Sequence, residues 1–227
     1  MQAEGILTRA QRTARHEQRT LADRAYHRLE ELIVTLRLQP GSVVTEADLI
    51  QEIEIGRTPT REALKRLEVR GLVRSLPRRG IVITGLNVTD YFALLETRRT
   101  LDRLIAASAA RHASKEQRAA LRVAAAAIKK AAAREDLEAF MRVDHDFDEI
   151  LEAAAKNPFA AQAVSPLHTH CRRFWYTFRN TGDLTRTADL HARLMIAVAQ
   201  GDEAAAQKAS DGLLDYMTEF TRTTVEM

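Results

Sequence analysis

The chain has little glycine, proline, cysteine or aromatic side chain, and each shortage removes a class of protein. Nine Gly and five Pro among 227 residues, with 45% hydrophobic and 29% charged residues, exclude collagen-like, mucin-like and disordered chains. One cysteine, Cys171, excludes an internal disulfide and every multi-cysteine zinc site, fits a reducing compartment, and reads as a half-buried small hydrophobe. No apolar run approaches the roughly 18 residues of a membrane helix, and the N-terminus has no secretory apolar segment. A cytoplasmic protein without membrane association is therefore expected. The N-terminal stretch is Arg-rich but interrupted by Glu4 and Glu17, which reads as a frayed basic arm. Charge of one sign is also lacking overall. The net value is +3, which says nothing about partners unless the charge is unevenly spread.

It is unevenly spread. Residues 1–82 hold 15 Lys/Arg against 11 Asp/Glu, a net of +4, so the remainder carries −1. Within Arg57–Gly80 eight basic residues face only Glu62 and Glu68, a net of +6 over 24 residues. A solvated charged face also produces such runs, so the surrounding pattern must decide. Ala22–Leu36 carries Ala25, Leu29, Leu32, Ile33 and Leu36 on one helical stripe, and the turn Leu38–Gly41 ends it. Thr45, with a carboxylate three residues on, opens a second helix of about two turns. After a turn at Gly56, Thr58 is placed to cap and Pro59 to take the first position of a third helix, whose stripe is Ala63, Leu64 and Leu67. Two short helices separated by a glycine turn form a helix-turn-helix. Leu72–Leu76 and Ile81–Thr84 are β-prone and joined by Pro77-Arg78-Arg79-Gly80, which adds a basic wing.

Thr58, Thr60, Arg61 and Lys65 avoid the apolar stripe and are expected to project outward. The first turn of a recognition helix enters the major groove, where arginine matches guanine with two donors and threonine reaches a phosphate or a thymine methyl. Arg57, Arg61, Arg78 and Arg79 are the expected DNA contacts, and Arg66 and Arg70 are expected to be a solvated flank. The segment Arg57-Thr58-Pro59-Thr60-Arg61-Glu62-Ala63-Leu64-Lys65-Arg66-Leu67-Glu68, with Gly71-Leu72-Val73 and Pro77-Arg78-Arg79-Gly80, closely resembles the winged helix-turn-helix of the GntR family of bacterial transcription regulators. The resemblance implies DNA contacts by Arg57, Thr58, Thr60, Arg61, Arg78, Arg79 and Gly80. Ala47 departs from it, standing where members often carry an arginine or another polar residue that reaches the DNA backbone.

From Asn87 onward Gly and Pro almost vanish, and amphipathic Ala-rich stretches run at about 88–112, 115–133, 135–155, 158–179, 185–200 and 203–222. The expected fold is mainly α: a winged helix-turn-helix in residues 1–84, then an antiparallel all-α bundle of about six helices in 85–227. Glu96-Thr97-Arg98, Asp144-His145-Asp146-Phe147-Asp148 and Leu190-His191 resemble the FadR-type effector domain known as FCD. Such domains often hold a divalent metal, and the matching positions here are Asp144, Asp148, His191 and Leu213. Carboxylate replaces imidazole at the second, and the fourth has no donor. Asp144, Asp148 and His191 would form a hard site suited to Mg²⁺, Mn²⁺ or Ca²⁺. Alternatively Asp144 and Asp148 are exposed carboxylates, or pair with a cation such as Arg98 or Arg172. The resemblance makes Arg98 the first candidate for an effector anion; Arg172, beside Trp175 and Tyr176, is a second, with Asp144 and His191 also in the effector set. His168 and His170, two apart, cannot share a helix face and are expected at the surface or core edge.

These features point to a metabolite-responsive repressor sensing a small organic acid and binding a palindromic operator as a homodimer. The alternatives are an architectural DNA-binding protein without a ligand and a metal-dependent enzyme built on the helical part. Against the enzyme, no nucleophile elbow, phosphate loop or HExxH motif is present.

Overall fold

The computed structural model describes residues 20–179 and 182–225; the basic arm falls outside them. Among the described residues the elements run α1 (Leu21–Val34), β1 (Val43–Val44), α2 (Glu46–Ile53), α3 (Arg57–Val69), β2 (Val73–Leu76), β3 (Gly80–Ile83), then α4 (Val88–His112), α5 (Lys115–Ala133), α6 (Leu137–Ala154), α7 (Pro158–Phe178), α8 (Leu184–Gln200) and α9 (Glu203–Val225). Two compact units result. One contains residues 20–87 with 169–177, the other 88–168 with 178–225.

In the first unit the apolar stripes of α1, α2 and α3 converge. Tyr26, Leu29, Leu32 and Ile33 meet Leu49, Ala63, Leu67, Leu72 and Ile83 in one buried cluster. Both capping boxes depend on short side chains: Thr20 and Asp23 satisfy each other's backbone N–H groups at the start of α1, and Thr45 and Asp48 do so at α2. The turn between α2 and α3 is made by Glu54, in the left-handed region at φ 55°, whereas Gly56 has an ordinary negative φ and serves as the N-cap of α3. The helix thus begins at Arg57, two residues earlier than a Thr58 cap would place it, and Thr58 does not cap it. Pro59 still lies in the first turn, where no intrahelical N–H bond is lost.

The wing is a three-stranded antiparallel sheet of order β1-β3-β2, with Val43 opposite Val82 and Arg74 opposite Val82 on the other side. Two valines after a Gly-Ser turn were too short a signal to predict β1. Gly80 sits at φ 109°, and a Cβ there would come within 2.6 Å of the Val44 carbonyl oxygen, so glycine is what permits β1 to close on β3.

The second unit carries six helices within a residue or three of the sequence boundaries. Ser114, Asp136, Asn157 and Asp183 cap α5 to α8 through side-chain oxygens. Helix α5 packs along α8, α4 along α9, α8 along α9 and α6 along α5. Their contact faces are rich in buried alanine, including Ala124, Ala131, Ala188 and Ala197, so the backbones approach closely. Arg118 donates to the carbonyls of Ala110, Ala113 and Val198, gathering the C-terminal ends of α4 and α8 on one guanidinium.

Candidate nucleic-acid interface and effector site

Arg57, Thr58, Arg61 and Lys65 lie exposed on α3, and Arg78 and Arg79 on the exposed tip of the wing, in the same compact unit. Arg78 adopts φ 62° at the tip, a conformation costly for a non-glycine residue, and the Arg79 N–H closes the turn on the Leu76 carbonyl at 3.0 Å. Arg61 donates through Nε to both oxygens of Glu46, at 2.9 and 2.8 Å, and Arg57 Nε stands 3.6 Å from the same carboxylate. Sequence reasoning did not select Glu46, because an acidic residue in the first turn of a helix is explained by the helix dipole alone.

Three expectations for this unit are corrected. Thr60 does not project outward: it is fully buried and its hydroxyl donates to the carbonyls of Ile55 and Gly56, fastening the turn. Arg66 and Arg70 are not a solvated flank. Arg66 reaches Asp23 at 2.7 Å and lies over the Tyr26 ring, while Arg70 donates to the Tyr26 hydroxyl, so both brace α3 against α1. Asp23 is held below the ordinary carboxylate range by the hydrogen bonds from Arg66 and Thr20.

The second unit gathers its charges inside. Arg98 on α4 is buried and holds Asp102, four residues on, through Nε at 2.9 Å and Nη2 at 2.8 Å. His168, predicted at the surface or core edge, is 4% exposed and sits among carboxylates from two helices. Its Nε2 is 2.9 Å from Asp102, and its Nδ1 is 3.3 Å from Asp148 and 3.2 Å from Glu152. Burial alone would depress its pKa, but Asp148 and Asp102 outweigh the lost hydration and hold it up at about 10. Asp102 is correspondingly held low, Arg98 and His168 overcoming the burial that would raise it. His191 on α8 points Nδ1 at the Thr187 carbonyl, at 2.8 Å, and Nε2 at Asp144, at 2.9 Å. Burial lowers its pKa, and the hydrogen bond it donates to the Asp144 carboxylate more than restores it, so the net shift is upward.

Asp144 and Asp148 are therefore not exposed carboxylates; both are buried, and each faces an imidazole from another helix. Both ring nitrogens of each imidazole face oxygen atoms. The fourth family position, Leu213, is a buried hydrophobe. Among the described residues no group of three His, Cys, Asp or Glu side chains is gathered as a metal ion requires. Arg172 belongs to the compact unit of the head and donates to Thr169. Cys171 and Phe174 are core residues, and His170 is bonded to the Arg70 carbonyl.

Residues 21–83 match the bacterial regulatory proteins of the gntR family, and residues 93–216 match the FCD domain. An uncharacterized HTH-type transcriptional regulator from the TAR-I ttuE-ttuC' intergenic region of Agrobacterium vitis is 35% identical over 137 residues, covering 58% of this chain and 78% of the relative. The Nta operon transcriptional regulator of Aminobacter aminovorans is 24% identical, covering 82% and 91%, and the transcriptional repressor RspR of Escherichia coli is 23% identical, covering 87% of each chain. Among solved structures, E. coli McbR/YncC superimposes with a TM-score of 0.79 at 16% identity, covering 92% of this chain and all of that one. No helix among the described residues is long and apolar enough to cross a membrane. A winged helix-turn-helix with exposed arginines at helix and wing, followed by an FCD domain, makes this chain a DNA-binding transcription regulator of the GntR family, not an enzyme.

Proposed function

We propose that the chain is a cytoplasmic, metabolite-responsive repressor that binds a palindromic operator as a homodimer. In this reading residues 1–84 read DNA and residues 85–227 bind the effector and dimerise. The supporting observation is the pairing of an exposed α3 face with the exposed Arg78-Arg79 wing tip in one compact unit. The first turn of α3 enters the major groove, where Arg61 contacts a base edge and Arg57, Thr58 and Lys65 contact phosphate or bases. The wing arginines track the adjacent backbone, and Gly80 allows the tip to approach it closely. Thr60 acts from behind this surface by holding the turn.

The effector is a small organic acid, with Arg98 as its receptor: a ligand carboxylate takes the place of Asp102 on the guanidinium, which binds carboxylates bidentately. Asp144 and His191 line the same unit and would recognise its polar groups. Arg172 is the alternative anion contact. Footprinting on DNA upstream of the chain's own gene and its neighbours tests the regulator reading; protection of a two-fold-symmetric site supports it, and equal protection of all sequences overturns it. Thermal shifts against a panel of organic acids, with and without chelator, test the effector and the metal together: stabilisation that survives chelator and is lost in Arg98→Gln is the expected result.

A further inference from the structure

The carboxylate that carries the furthest consequence is Glu46, the first residue of α2. It takes no part in capping that helix, since Thr45 and Asp48 satisfy the cap between them. Its two oxygens are instead both occupied by the Nε of Arg61, at 2.9 and 2.8 Å, and one also faces Arg57 Nε at 3.6 Å. The carboxylate is 29% exposed, against 58% for the Arg61 side chain and 70% for that of Arg57. The arginines thus reach past it toward solvent.

A guanidinium has two hydrogen-bonding edges, one containing Nε and the other formed by Nη1 and Nη2. Glu46 engages Arg61 at Nε, which leaves the terminal edge for an outside acceptor pair. Guanine offers such a pair in the major groove, O6 and N7, with the spacing that edge matches. An arginine free to swing over its rotamers would lose that freedom on binding; one already held through Nε loses less.

We propose that Glu46 is a specificity-determining positioning residue, which orients Arg61, and more loosely Arg57, so that the terminal guanidinium edge meets a guanine. It touches no base itself. The inference rests on the reading of α3 as the recognition helix, and it has a sign opposite to the simplest electrostatic expectation. A carboxylate near DNA repels phosphate, so if charge were all it contributed, its removal would tighten binding to every sequence alike.

Selection from a randomised duplex library with the full-length protein supplies a best duplex, and a scrambled duplex of the same composition serves as reference. Fluorescence anisotropy then gives the affinity ratio between the two for the wild type, Arg61→Ala, Glu46→Ala, Glu46→Gln, Glu46→Asp and the double variant Glu46→Ala/Arg61→Ala. Arg61→Ala is expected to reduce the ratio about 5- to 150-fold, the range for losing a bidentate base contact. Glu46→Ala is expected to reduce it about 2- to 5-fold, the range of an exposed ion pair, and to add nothing in the double variant. Glu46→Asp, a charge one methylene shorter, is expected to retain more of the ratio than Glu46→Gln. Equal tightening to both duplexes by Glu46→Ala, or a loss that adds to that of Arg61→Ala, overturns the proposal. If Arg61→Ala collapses the ratio and neither Glu46→Ala nor Glu46→Gln changes it, Glu46 has no positioning role although α3 reads DNA. If Arg61→Ala itself leaves the ratio unchanged, the reading of Arg61 fails and the inference with it. Thermal melting of each variant identifies any that owe their loss to unfolding.

Discussion

The two units place charge in opposite ways. In the head, Arg57, Arg61, Arg78 and Arg79 are exposed, and Glu46, the carboxylate that meets Arg57 and Arg61, binds at the surface. In the helical unit Arg98, Asp102, His168, Asp144, Asp148 and His191 are all buried and mutually bonded. Exposed ion pairs are worth roughly 0–1 kcal/mol and exchange readily, so the head's cations are available to phosphates and bases. A buried set is costly to desolvate and costly to break, so it fixes a geometry. The head leaves its cations in water, whereas the helical unit holds its charges where hydration cannot compete.

The largest expected effect comes from breaking the buried set. Replacing His168 with Leu leaves Asp102, Asp148 and Glu152 without their shared cation, and chemical denaturation is expected to show a loss of about 3–5 kcal/mol, the range for breaking a buried pair from one side. A change below about 1 kcal/mol would mean that the helical unit treats charge as the head does. Next comes Gly80→Ala, which forces a Cβ against the Val44 carbonyl at a backbone conformation costing about 1–3 kcal/mol, seen as a lower unfolding midpoint and loss of β1 pairing in amide exchange. In the head itself, Arg78→Ala is expected to leave melting unchanged and to weaken binding to all duplexes alike, lowering the salt slope of log affinity by about one. A destabilised Arg78→Ala would erase the distinction between the units. Smallest is Thr45→Ala, which removes the cap of α2 and costs about 1 kcal/mol in denaturation. Acid sharpens the same contrast. Asp23 has a lowered pKa in the folded head, so its contribution is present above the ordinary carboxylate range and fades as pH falls through its folded value, which stability measured across acid pH would reveal.

Much of the head was legible along the chain because its signals are local. Thr45 with Asp48, the stripe of Ala63, Leu64 and Leu67, and the Pro-Arg-Arg-Gly tip each declare an element within a few residues. The failures there were also local in origin and global in resolution. Thr60 reads as an outward residue by helical spacing, but the turn bends its hydroxyl back to the Ile55 and Gly56 carbonyls. Arg66 and Arg70 read as solvated until Tyr26, some forty positions earlier, is brought beneath them.

In the helical unit, periodicity and caps determined six helices nearly to the residue, and a family pattern selected Arg98, Asp144 and His191. Which charge meets which was decided only by packing. Nothing in the spacing of Asp102 and His168, 66 residues apart, or of Asp144 and His191, indicates that each carboxylate receives an imidazole. The sequence by itself determined the elements and the polarised +6 segment, because these follow from short-range backbone and side-chain chemistry. The tertiary structure decided the partners: Glu46 to Arg61, His168 to Asp102 and Asp148, His191 to Asp144. Coulomb energy and hydration depend on distances across the fold, and those exist only once the helices have packed.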